Sequence, residues 1–108
     1  MSAPRFGSLH DGPAPDAPGA ETFTDLLHVG GVRVERIASR AVRDGDWYEQ
    51  GWAEFVLLVA GSARLGFADG TEHPLAPGDW VHLPACCRHR VVWTDPAVEA
   101  IWLAVHLP

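Results

Sequence analysis

The sequence predicts an all-β protein, a small β-barrel or jelly roll built from two sheets. Three observations carry this. Short runs with strand character recur from about residue 32 to the end of the chain. Gly, Pro and Asp turn signals separate them at close spacing, and no segment sustains the 3.6-residue apolar period of a long helix.

In chain order, residues 1–20 hold four of the nine prolines, several Gly and Ala, and no periodic apolar pattern, so they are expected to be a flexible or loosely docked arm. Residues 21–108 then form one domain. Glu21 to Leu27 places Phe23, Leu26 and Leu27 after a candidate Thr22 cap and reads as a helical turn or a strand packed on the barrel. Val32 to Ile37 alternates apolar and charged residues, the pattern of a half-buried strand. Asp44-Gly45-Asp46 is a turn. Trp47 to Gln50 and Glu54 to Ala60 are read as strands, and Gly61-Ser62 as a tight turn. Ala63 to Phe67 and Glu72 to Leu75 flank Asp69-Gly70, the hairpin signature. After Pro77-Gly78-Asp79 come Trp80 to Leu83, His89 to Thr94 and Val98 to His106.

Composition removes several classes of function. A formal charge of −6 over 108 residues leaves no basic stripe to displace counterions from phosphates, so no nucleic-acid partner is expected. No apolar run approaches the length of a membrane span, and no secretory signal is evident, so a cytoplasmic location is the default expectation. There is no Lys, which excludes Schiff-base and pyridoxal-phosphate attachment. There is no Asn for glycosylation. Cys86 and Cys87 are adjacent; they read either as two reduced thiols or, for Cys86, as a thiolate or redox-sensitive position close to the site.

Two motifs carry the chemistry. Tyr48-Glu49-Gln50-Gly51-Trp52-Ala53-Glu54 reaches Gly61 after six further residues. Gly78-Asp79 reaches Pro84 and then His89. A carboxylate and an imidazole from strands far apart in sequence meet inside a closed sheet, so Glu54 and His89 predict a site within a barrel. These residues resemble the cupin pattern, H-x-H-x3-E-x6-G followed by G-x5-P-x-G-x2-H-x3-N, in a small single-domain form with a degenerate first motif. The resemblance spans about Val32 to His106. Tyr48 and Gln50 stand where the pattern has two His, Cys86 where it has Gly, and Trp93 where it has Asn.

The resemblance implies a cupin-type barrel, a small-molecule ligand or substrate, and a divalent metal (Fe, Mn, Ni, Zn or Cu) held by Gln50, Glu54 and His89. Tyr48 and Glu54 are the expected catalytic groups, with Tyr48 as acid/base or hydrogen-bond donor. His82, Cys86 and His106 are secondary candidates. Strand alternation groups Tyr48 with Gln50, Glu54 with Val56 and Leu58, His89 with Val91 and Trp93, Trp80 with His82, and Trp102 with His106. His10, His28 and His73 are assigned to the arm or to loops. A metal-dependent enzyme of oxygenase, isomerase or lyase type is the first expectation. A non-catalytic binding or sensing domain is the alternative, and a structural barrel the third. The apolar segment from Phe23 to Val34 and the five Trp point to a homodimer.

Overall fold

Eight strands form where apolar runs and turn residues alternate: β1 (Glu21–Val29), β2 (Val32–Ser39), β3 (Glu54–Ala60), β4 (Ala63–Phe67), β5 (Glu72–Leu75), β6 (Trp80–Leu83), β7 (His89–Thr94) and β8 (Ala100–His106). The computed structural model describes residues 3–108. Among them there is no helix, and so none long and apolar enough to cross a membrane. A five-stranded antiparallel sheet runs β1-β2-β8-β3-β6, and a three-stranded one runs β5-β4-β7. The fold is the all-β barrel that the strand pattern predicts. Val56 and Leu58 of β3, Ala63 and Leu65 of β4, Leu75, Leu83, and Ala100, Trp102 and Ala104 of β8 form the core. Burying each large aliphatic chain there contributes about 1.5–3 kcal/mol.

The motif glycines and Asp79 are explained by turns. Gly61 has φ 81°, and a Cβ there would sit 2.8 Å from both Ala100 Cα and Glu99 O, so the turn closes directly onto the start of β8. Gly78, at φ 94°, donates its N–H to Leu58 O at 2.8 Å, while Asp79 Oδ2 accepts from Ala76 N at 2.9 Å. At the β4–β5 hairpin, Asp69 Oδ1 accepts from the N–H and hydroxyl of Thr71; these bonds hold its carboxyl below the usual range.

Four readings of local structure are corrected. Trp47 to Gln50 is not a strand; the segment from Val42 to Gln50 lies beside β7 through isolated contacts, among them the paired Tyr48 and His89 backbones at 2.8 and 2.9 Å. Glu21 to Leu27 takes the strand of its two expected alternatives, whereas His28 and His73, assigned to the arm or to loops, lie in β1 and β5. Trp93 does not share a face with His89 and Val91. The pairing passes from Arg64↔Trp93 to Leu65↔Val91, so Val92 is the extra residue of a β-bulge and Trp93 joins the exposed Arg64 on the outside.

The fourth correction concerns β2, which is buried on both faces. Arg33, Glu35 and Ile37 face the barrel interior, whereas Arg36 is only 2% exposed on the opposite side. The N-terminal segment covers it: Arg36 Nε donates to Leu9 O at 2.7 Å and Nη1 to Pro13 O at 3.2 Å, and Nη2 lies 3.7 Å from Glu99 Oε1. Thr22 Oγ1 also donates to Pro13 O, and Gly19 N to Arg40 O. Charged residues inside a strand marked a solvent face only so long as nothing was placed over them.

Candidate functional site

A cavity of about 230 Å3 opens between the two sheets. Tyr48, Gln50, Trp52, Glu54, His89 and His106 line its polar end, and Ile37, Val56, Leu65, Leu83, Val91 and Trp102 its apolar end. Glu54 begins β3 between its two neighbours, opposite His106 on β8 and Leu83 on β6. Its side of the strand continues into the core through Val56 and Leu58, which fixes the carboxylate inward.

Glu54 is 6% exposed. Gln50 Nε2 donates to its Oε1 at 2.5 Å. Its Oε2 lies 3.9 Å from His106 Nε2, too far for a hydrogen bond, and is left facing the cavity.

His106 is fixed from both sides. Trp52 Nε1, which can only donate, bonds to His106 Nδ1 at 3.0 Å. Nδ1 is therefore the unprotonated nitrogen, and Nε2–H donates to Glu35 Oε1 at 2.9 Å. The ring is held as a neutral tautomer, so its contact with Glu35 is a hydrogen bond rather than an ion pair. Arg33 Nη1 donates to the other oxygen of Glu35 at 2.9 Å and to Asp25 Oδ1 at 3.2 Å.

The same logic sets His89. Its Nδ1 lies 2.9 Å from Cys87 O, a pure acceptor, so Nδ1 carries a proton, and in the neutral form of this tautomer Nε2 presents a lone pair. Cys86, at φ 64°, holds this turn by donating its N–H to Gln50 O at 2.7 Å. Tyr48 stacks on His89 with ring centroids 6.0 Å apart. Burial, and then the carboxylates of Glu21, Asp46, Glu35 and Glu54, push the Tyr48 phenol above its ordinary pKa, so it keeps its proton. Burial likewise raises Glu21 at the cavity wall, against the lowering effect of the Ser39 hydroxyl it accepts from.

Tyr48, Gln50, Glu54, His89 and His106 thus line one cavity. His82 does not join them; it is exposed, opposite Phe55 on the outer side of the sheet. Cys86 is exposed and contributes its backbone alone. Among the described residues, no group of three or more His, Cys, Asp and Glu side chains is arranged to hold a metal ion. His106 has both nitrogens engaged, and Gln50 meets Glu54 through its amide nitrogen, which leaves its carbonyl oxygen as the atom that could ligate. His89 Nε2 and Glu54 Oε2 remain as open donors of the kinds a catalytic zinc centre uses, short of its usual three protein ligands. As arranged, the side chains do not fit such a centre.

Glu21, Arg33, Glu35 and Trp52 were missed as site residues. Arg33 and Glu35 were hidden by the assumption that charge on β2 faces water. Trp52 had a usable signal, lying in the first motif two positions from Glu54.

The Cupin domain profile matches residues 33–106. No curated protein matches the chain significantly. Among solved structures, a protein of Ralstonia eutropha JMP134, provisionally named a mannose-6-phosphate isomerase, is 42% identical over 95% of this chain and 97% of its own, with a TM-score of 0.83. A cupin superfamily protein of Desulfitobacterium hafniense DCB-2 is 19% identical over 84% of this chain and 80% of its own, at a TM-score of 0.66. A protein of unknown function from Rhizobium leguminosarum bv. viciae 3841 covers 100% of this chain and 99% of its own at 15% identity and a TM-score of 0.73.

Proposed function

This chain belongs to the cupin family, and on that footing we propose that its cavity carries out a proton transfer on a small organic molecule, an isomerase-type reaction in which Glu54 takes and returns the proton. One observation carries the reading. The Glu54 carboxylate is buried, one oxygen is fixed by Gln50, and the other is open to the cavity. A general base needs that combination of fixed orientation and a free lone pair. The name of the 42%-identical Ralstonia protein supports the reaction type. Interconverting an aldose and a ketose moves a proton between neighbouring carbons, and one carboxylate can remove it from the first and deliver it to the second. Tyr48, with its proton retained, would donate to the oxygen on which charge develops. His89 Nε2 would accept from a substrate hydroxyl.

The phosphate in the relative's name finds no counterpart here. Arg33, the arginine among the lining residues, is already bound by Asp25 and Glu35. The expected divalent metal on Gln50, Glu54 and His89 has no part in this scheme.

The test is hydrogen exchange in heavy water, followed by proton NMR on neutral aldoses and hydroxy-ketones. Deuterium should enter at the carbon beside the carbonyl, and Glu54→Gln should slow this by about 100-fold or more. If no member of the panel exchanges although some bind, the cavity is a binding or sensing site and the enzyme reading fails.

We also propose that two copies pair through β1. It is an edge strand of the larger sheet, and it exposes Phe23 at 53%, Leu27 at 45% and Val29 at 62%. An unpaired apolar edge is a template for a second strand. Light scattering is expected to give twice the chain mass; a value near 11.7 kDa would overturn this.

A further inference from the structure

We propose that the ligand of this cavity is an organic ammonium, a small primary amine whose charged head sits at Glu54 and whose body lies among the aromatic walls. The inference rests on the cavity being a ligand site; it makes Glu54 the counter-ion of a cation in place of a base toward neutral substrates, and the outcomes below tell the two roles apart.

Three independent features point to it. The first is charge. Glu21, Glu35 and Glu54 line the cavity against Arg33, whose Nη1 is shared between Glu35 and Asp25, and His106 is held neutral by Trp52. An anion would meet an excess of carboxylates with no free cation to answer it.

The second is hydrogen-bond polarity. Glu54 Oε2 and His89 Nε2 belong to side chains more than nine-tenths buried, and each is without a hydrogen-bond partner among the described residues. Both are acceptors. The Tyr48 hydroxyl can serve either way. Acceptors that open on the cavity favour a ligand rich in N–H donors, and charge-assisted bonds to a carboxylate are the strongest of these.

The third is the wall. Phe23, Tyr48, Trp52 and Trp102 all line the cavity, and aromatic faces attract ammonium groups. The volume is that of about eight liquid waters at roughly 30 Å3 each, which suits a small monoamine.

The test compares three probes of similar size by isothermal titration calorimetry: benzylamine, benzyl alcohol and benzoate. The protein is the full chain, treated with chelator and dialysed. Benzylamine is expected to bind about tenfold or more tighter than benzyl alcohol, with benzoate weakest. Glu54→Gln should narrow the gap between amine and alcohol to within about threefold. Because the ranking on the unaltered protein decides the matter, the proposal stays testable even if that variant folds poorly. Equal affinity for amine and alcohol, or tightest binding of benzoate, would overturn it. So would binding of Zn2+ alone in place of the amine, which would give the two acceptors to a metal. Amine preference without proton exchange on any carbonyl panel would keep this inference and remove the isomerase reading. Exchange with neutral substrates and no amine preference would do the reverse.

Discussion

Replacing Arg36 with methionine is expected to destabilise the protein by roughly 1–3 kcal/mol, a sizeable share of the 5–15 kcal/mol typical of a domain. Methionine fills much of the volume but donates nothing. The carbonyls of Leu9 and Pro13 would lose the bonds they receive at 2.7 and 3.2 Å. Pro13 O is exposed and keeps the Thr22 hydroxyl, so the loss falls mainly on the half-buried Leu9 O, at about 1–3 kcal/mol. Glu99, at 3.7 Å, adds less because its side chain is 30% exposed and can rehydrate. Urea unfolding followed by Trp fluorescence measures the change, and the arm should become sensitive to protease in the same variant. A loss below about 1 kcal/mol with the arm still protected would show that the guanidinium is not what fastens it.

Gly61→Ala is expected to cost more, roughly 2–5 kcal/mol, for a different reason. An alanine at φ 81° is strained by about 1–3 kcal/mol. Its Cβ must also push back Ala100 Cα and Glu99 O, each 2.8 Å away, and forced overpacking typically adds about 1–3 kcal/mol. Gly70→Ala separates the two effects. Gly70 has φ 86° with nothing within 4 Å of its would-be Cβ, so only the backbone strain applies there. Thermal unfolding of both variants should show Gly61→Ala clearly worse. Equal losses would mean that the close approach to β8 relaxes at no cost.

Strands were legible wherever one face was apolar and a turn residue closed the run. Ala63–Phe67, Glu72–Leu75, Trp80–Leu83 and His89–Thr94 all form with the bounds the pattern predicts. The larger errors came where a second layer or an irregularity intervened. The burial of β2 on both faces was not legible because the segment covering Arg36 lies more than twenty residues away in sequence. Trp93 changed face because Val92 bulges, and no composition rule marks that position. The Trp47 to Gln50 stretch has strand chemistry but pairs residue by residue instead of as a ladder. At the site, motif spacing brought Glu54, Gln50, Tyr48 and His89 to one cavity. It could not reveal which lone pairs are open, because that depends on Trp52 and Cys87 O, whose roles are set by the folded geometry.

The fastening of the N-terminal segment to Arg36 makes that segment a tethered ligand of the barrel. Its occupancy is then governed by an effective concentration, on the order of millimolar for a short flexible connection, rather than by the strength of the contact alone. A barrel cut back to begin near residue 20 would lose this occupant and keep its empty seat. A free peptide spanning residues 3–20 should refill that seat and restore stability in proportion to the logarithm of its concentration, the signature of mass action rather than of covalent structure.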